Sequence, residues 1–250
     1  MTQLDGKVAI VTGDSSGVGR AVALQLAASG AKVVVNYVTG RERAADVVTA
    51  IERAGGAGVA IQADISSGAE TRHLFDETLD AFGKLDILIA NAGRSVFSPL
   101  IDVTDEEFER TFAVNAKGTF LCLRRAAQVI EDHGRIVCVS TIGTVLNLPG
   151  GAVYFASKAA IEQFCRVLAI ELAPRGVTVN VVSPGFTDTQ MLDATGIREP
   201  AALATIIAMT PLARLGQPHE VAAAIGFLVG PDAGWITRQN LPADGGIISR

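Results

Sequence analysis

Val8-Ala9-Ile10-Val11-Thr12-Gly13-Asp14-Ser15-Ser16-Gly17-Val18-Gly19-Arg20-Ala21-Val22-Ala23-Leu24 is the stretch from which the fold follows. Its first four residues are apolar and mostly β-branched, as in a buried strand, and the residues from Gly19 onward carry a helical period. The glycines between allow a tight turn in which backbone N–H groups at a helix N-terminus approach a phosphate. A strand-to-helix turn also uses glycine for sterics alone, so the surrounding chain has to decide.

Working outward, strand-like runs at 8–11, 32–35, 59–62, 87–90, 136–140 and 177–182 alternate with helical stretches at 19–28, 42–54, 69–81, 105–130 and 153–172. Val33-Val34-Val35 and Ile87-Leu88-Ile89 are continuously apolar, as expected of parallel strands covered by helices on both faces. Ser29-Gly30, Gly55-Gly56, Phe82-Gly83, His133-Gly134 and Arg175-Gly176 each read as a helix stop before a strand. The expectation is one doubly wound α/β domain over 1–250, without linker or internal repeat. The mixed composition of 185–215 suggests a mobile helical flap.

In 250 residues, hydrophobic side chains make up 49% and charged ones 19%, enough for a large core and far from a disordered composition. The formal charge of −5 disfavours nucleic acid and anionic membranes as partners. The longest apolar stretch near the C-terminus, 221–229, is far short of the roughly 20 residues that cross a bilayer. Residues 1–6 lack a signal-like basic start and apolar run. Cys122, Cys138 and Cys165 are odd in number, widely spaced and set in apolar runs, which suggests no disulfide framework and a reducing compartment. The cytoplasm is therefore the expected location. His73, His133 and His219 have no metal-like spacing, and His133 is expected to end a helix, its imidazolium on the helix dipole.

Tyr154 and Lys158 lie four residues apart in an Ala-rich helical stretch and so share a face. A lysine cation would favour phenolate in a tyrosine whose ordinary pKa is ~10, as suits a general acid/base. Upstream, Ser140 and Thr141 end the fifth strand at the edge where such sheets place ligands. Neighbouring strand residues face opposite ways, so one hydroxyl of the pair is expected to act. Asn115 sits in a long helical stretch, where an amide is only a modest helix former.

Together these segments resemble the short-chain dehydrogenase/reductase family, from about Lys7 to Gly246. Thr12, Gly13, Gly17 and Gly19 match its T-G-x-x-x-G-x-G loop, which also brings in Ser15, Ser16 and Val18. Tyr154-Phe155-Ala156-Ser157-Lys158 is similar to its active-site helix, and Asn115-Ala116-Lys117-Gly118 to its Asn-x-x-Gly. The resemblance implies a Rossmann-type, mainly parallel seven-stranded sheet flanked by helices on both faces. It implies adenine contacts at Asp64 with Ile65, and sheet stabilisation at Asn91-Ala92-Gly93. Nicotinamide contacts are implied at Pro184-Gly185, Thr187 and Thr189, and ribose contacts at Tyr154 and Lys158. It also implies that Asn115 distorts its helix and holds a water that relays protons to Lys158. By spacing Thr141, 13 residues before Tyr154, matches the family's catalytic serine, while Ser140 matches by residue type.

At the second strand's end, Asn36-Tyr37-Val38 carries no carboxylate to repel a ribose phosphate, and Thr39 and Arg41 follow. NADP is favoured over NAD, although Arg41 reads equally well as a solvated residue opening the next helix and Asp14 weighs against a phosphate nearby. The expected activity is that of an NADP(H)-preferring carbonyl reductase or alcohol dehydrogenase on a small-molecule substrate. The stretch 235–246 resembles the 3-oxoacyl-[acyl-carrier-protein] reductase branch, implying a 3-oxoacyl thioester or related ketone. The alternatives are a catalytically idle NADP(H)-binding sensor and an NAD-dependent sugar, steroid or small alcohol dehydrogenase. Docking of an acyl carrier protein would need basic surface, for which Arg124, Arg125 and Arg166 are the candidates. The long apolar helices bearing Asn115 and Tyr154 suit a four-helix dimer contact and a homotetramer, as in the similar family.

Overall fold

A computed structural model describes residues 3–13, 16–193 and 197–248. The chain runs β1 (Val8–Thr12), α1 (Gly17–Ala28), β2 (Lys32–Tyr37), α2 (Arg41–Arg53), β3 (Ala57–Gln62), α3 (Gly68–Phe82) and β4 (Leu85–Ala90). It continues through α4 (Asp105–Phe112), a π-helical turn (Ala113–Gly118), α5 (Thr119–Val129), β5 (Ile130–Val139), α6 (Gly143–Leu146), α7 (Ala152–Leu172) and β6 (Thr178–Pro184). After β6 come α8 (Gln190–Asp193), α9 (Pro200–Met209), α10 (Pro218–Val229) and β7 (Asn240–Ala243).

The seven strands form one sheet in the order β3-β2-β1-β4-β5-β6-β7, and every pairing is parallel. Strand alternation sends Ala9, Val11, Val33, Val35, Ile87 and Ile89 into a core under α1, α2 and α10. Ile10, Val34, Leu88 and Ala90 enter a second core under α3, α5 and α7. This double burial is the reason the strands read as unbroken apolar runs. Truncating a fully buried residue such as Ile10 would cost about 2–5 kcal/mol, so the central strands hold the ligand edge rigidly.

The strand order reverses between β1 and β4, which opens a crevice at the carboxyl ends of these strands. Glycine terminates helices where expected: Gly83 and Gly176 are left-handed C-caps.

The expected helix over 105–130 is corrected to two helices joined by the π turn. His133 is corrected too, because the helix stops at Val129 and Ile130 is already extended. His133 takes a left-handed φ of 62° within the first half of β5, with its ring against Gly176, where an added Cβ would stand 2.4 Å from Nδ1. The flap contains α8 and α9. Among the described residues no helix is long and apolar enough to cross a membrane.

Candidate active site

A cavity of about 400 Å³ opens at the carboxyl edge of the sheet. Its walls include Gly13, Ser16, Gly17, Val18 and Gly19 of the first turn, Tyr37 at the end of β2 and Thr39 beyond it, and Asn91, Ala92 and Gly93 after β4. Ser140, Thr141, Tyr154 and Lys158 form its middle, and Pro184, Gly185, Thr187 and Thr189 close it from the β6 side. Asp14 and Ser15 lie outside the described residues.

The first turn is shaped to admit an anion. Gly13 has a φ of 66°, and a Cβ there would lie 2.7 Å from the Ala92 Cα, so only glycine lets the two backbones approach. Thr12 Oγ1 accepts from the Asn91 and Ala92 amides at 3.1 Å each. The Asn91 side chain donates back to the Thr12 and Gly13 carbonyls at 3.0 and 2.9 Å. These bonds tie the end of β4 to the end of β1. Helices α3 and α4 are closed by Ser67 and by a Thr104–Glu107 capping box. The Ser16 side chain, by contrast, makes no capping bond at the α1 N-terminus, and the first turn of α1 carries no acidic residue. The positive end of that helix therefore faces the cavity, as a dinucleotide pyrophosphate requires.

At the β2 end the structure departs from the expected contacts. Arg41 is the exposed first residue of α2 and takes no part in the wall; Arg43 does. Gly40, at a φ of 81°, turns the chain so that the Arg43 guanidinium folds back over it, 2.5 Å from where a Cβ would stand. Asn36 is buried and donates to the Ala63 carbonyl at 3.0 Å, so it braces β2 against the end of β3 and lies outside the wall. Asp64 and Ile65 are outside it as well. Asp64 accepts from Ser66 N and Oγ at 2.9 and 2.8 Å, and Ile65 packs within 2.9 Å of where a Gly118 Cβ would stand. Only the Arg41-Glu42-Arg43 pair of arginines hinted at Arg43, and spacing alone does not show which of them turns back.

In the middle of the cavity, Tyr154 and Lys158 share the inner face of α7 and are both buried. Lys158 Nζ donates to the Val139 carbonyl at 2.8 Å. Burial pulls this ammonium down to about 8. Burial pushes the Tyr154 phenol up to about 12, against a smaller opposing effect of the Thr141 hydroxyl hydrogen-bonded to it. The expected lowering of the phenol therefore does not arise within the protein alone, where desolvation outweighs the neighbouring groups.

Ser140 and Thr141 have different partners. Ser140 Oγ donates to Glu162 Oε1 at 2.8 Å. Thr141 Oγ1 accepts the Gly143 amide at 3.2 Å and lies beside Tyr154. Asn115, inside the π turn, accepts from Arg94 N at 2.8 Å and donates to Arg94 O and Ser157 Oγ at 2.9 Å each. Gly93 brings the same loop against the lysine, since a Cβ there would stand 3.1 Å from Lys158 Nζ and 3.3 Å from Asn115 Oδ1. A π turn opens the regular helical hydrogen-bond ladder at a functional cleft. Among the described residues no cluster of ligands suits a metal ion.

The family described as enoyl-(acyl carrier protein) reductase matches residues 13–248. This chain belongs to the short-chain dehydrogenases/reductases. It is 41% identical to the 3-oxoacyl-[acyl-carrier-protein] reductase of Synechocystis, with 99% of each chain covered. It is 38% identical to the tetrahydroxynaphthalene reductase of Pyricularia oryzae, with 97% of this chain and 90% of the relative covered. A short-chain dehydrogenase from Burkholderia cenocepacia, solved in complex with NADP, superposes with a TM-score of 0.92 at 38% identity, covering 98% of this chain and 99% of that one. As a member of this family the protein is an oxidoreductase acting between alcohol and carbonyl groups.

Proposed function

We propose that the protein is an NADP(H)-dependent carbonyl reductase, able to run in reverse as an alcohol dehydrogenase. The observation that carries this reading is the convergence of a protonated Tyr154 phenol, the Thr141 hydroxyl and the Lys158 ammonium in one cavity with the glycine-rich α1 N-terminus.

The cradle fits a nicotinamide dinucleotide. Gly13 and Gly93 occupy positions that any Cβ would fill, and the Burkholderia relative binds NADP along a fold of the same shape. The turn 13–19 would hold the pyrophosphate. Thr39 and Arg43 would receive the ribose phosphate, and the described wall holds no carboxylate to repel it. When bound, the reduced dinucleotide supplies a hydride, two electrons and a proton, to the carbonyl carbon of the substrate.

The chain's own residues manage the oxygen. The Thr141 oxygen accepts from Gly143 N, which leaves its own hydrogen available to donate to the substrate oxygen and stabilise the charge developing there. Tyr154 Oη holds its proton at neutral pH and transfers it to that oxygen as the C–O double bond becomes an alcohol. Lys158, held by Val139, stabilises the resulting tyrosinate. Asn115 anchors the π turn behind the lysine, where a water chain would return the proton from solvent.

NADPH consumption with a panel of ketones tests the reading. Tyr154→Phe is expected to abolish turnover while calorimetry still records NADPH binding. Binding without turnover of any carbonyl by the unaltered protein would favour a sensor instead.

We also propose a homotetramer. Phe120, Phe164, Val167 and Ile170 leave exposed apolar surface along α5 and α7, with the two phenylalanine rings 6.0 Å apart. Such a face suits burial against a second copy. Light scattering that gave a monomer mass would refute it.

A further inference from the structure

Relatives of similar closeness are named for an acyl-carrier-protein thioester and for a naphthalene derivative, so similarity alone leaves the substrate class open. The substrate end of the cavity does not. Phe97 and Phe155 line it beside Tyr154. Phe97 stands edge-on to Phe155 with ring centroids 5.8 Å apart, and 6.0 Å from the Tyr154 ring. Phe155 is locked in place, because a Cβ at Gly143 or Gly151 would fall 2.0 or 2.1 Å from its ring. The wall next to the reacting phenol is therefore rigid, aromatic and preorganised, and it offers stacking surface without an ordering cost at binding.

The rest of the wall near it is uncharged. Ile142, Leu146, Leu148 and Met191 add apolar surface, Ser95 and Gln190 add neutral polar groups, and the only charged side chains along the described wall are Lys158 and Arg43, at the centre and at the β2 end. A carboxylate or phosphate on the substrate would be buried there without a partner, at a cost of several kcal/mol. The arginines of the flap and of α5 and α7 are already engaged by neighbours. Arg198 on the flap pairs with Asp188 and Asp193, and Arg214 with Glu220. Arg125 pairs with Asp76, Arg166 faces Glu162, and Arg124 lies 5.0 Å over the Phe120 ring.

Building on the reductase reading, we infer that the substrate is an uncharged, flat ring ketone, and that Phe97 is the residue that selects for the ring. The carbonyl meets Tyr154 and Thr141 while the ring system lies against Phe97. The aromatic face rewards a planar substrate, and the absence of charge rejects an acyl thioester on a polyanionic carrier.

The test compares three probes with NADPH: β-tetralone, the linear methyl hexyl ketone, and acetoacetyl-coenzyme A. The expected order of kcat/KM places tetralone about tenfold above the linear ketone, with the coenzyme A thioester lowest. Phe97→Ala should shrink the tetralone preference to about threefold or less, mainly through KM. Phe97→Leu, which keeps bulk without a flat face, should not restore it. Preferential turnover of acetoacetyl-coenzyme A, or a ring preference unchanged in Phe97→Ala, would overturn this inference while leaving the reductase reading intact. Failure on all three probes and on the wider ketone panel would overturn the reductase reading itself, and this inference with it.

Discussion

The hydroxyl of Ser140 donates to the buried carboxylate of Glu162 at 2.8 Å, and this contact gives two adjacent hydroxyls different surroundings. Glu162 Oε1 also receives the Thr144 hydroxyl at 2.7 Å, so one carboxylate pins the end of β5 to the start of α6. Ser140 is held in that clamp, whereas Thr141 is left facing the Tyr154 phenol.

Thr141→Ala should therefore lower kcat by about 10²–10³ through loss of an oxyanion donor, with little change in NADPH affinity. Thr141→Ser should recover most of the rate. Ser140→Ala should act on stability instead, costing about 1.5–3 kcal/mol for a lost hydrogen bond to a charged group. Steady-state kinetics beside denaturant melts would separate the two. A larger kcat loss in Ser140→Ala than in Thr141→Ala would reverse the assignment.

Arg43 folds over Gly40 into the cavity wall while Arg41 stays in solvent. Arg43→Ala should raise KM for NADPH by about 10–100-fold, as expected for a lost charge-assisted contact to phosphate, and leave KM for NADH nearly unchanged. Arg41→Ala should move neither by more than about twofold. Equal losses for both cofactors in Arg43→Ala would remove the phosphate role.

Gly13→Ala tests the cradle. The added methyl meets the Ala92 backbone at 2.7 Å from a φ of 66°, and both effects oppose the native turn. The expected result is loss of NADPH binding by calorimetry together with a lower melting temperature. Wild-type affinity in this variant would mean that the turn is not the pyrophosphate cradle.

Much of this was legible in the sequence, for identifiable reasons. Strands buried on both faces leave unbroken apolar runs, and a four-residue helical spacing places Tyr154 and Lys158 side by side. What stayed hidden depends on distant partners. What distinguishes Ser140 from Thr141 in the structure is Glu162, 22 residues away. The break in the 105–130 helix comes with Asn115 bonding the Arg94 backbone 21 residues upstream, within a helical pattern that shows no interruption. The return of Arg43 depends on a left-handed Gly40, which spacing cannot express.

Lys158 makes stability depend on pH in a predictable direction. Its ammonium titrates near 8 in the folded protein against 10.5 for an ordinary lysine, so between these values the unfolded chain holds more protons. Stability then rises with pH from about 8 towards 10, while below about 8 the full penalty of burying the charge remains. Tyr154 acts oppositely at higher pH: its pKa moves from 10.0 to about 12, so its contribution, complete below 10, is lost as pH climbs towards 12. The net expectation is a maximum near pH 10 in the cofactor-free protein, with a rise on the order of 2–3 kcal/mol beforehand. Lys158→Met should be more stable than the parent at pH 7 and should lack the rise. Urea melts at pH 7, 8, 9 and 10 on both proteins measure it, and parallel curves would show that another group carries the dependence.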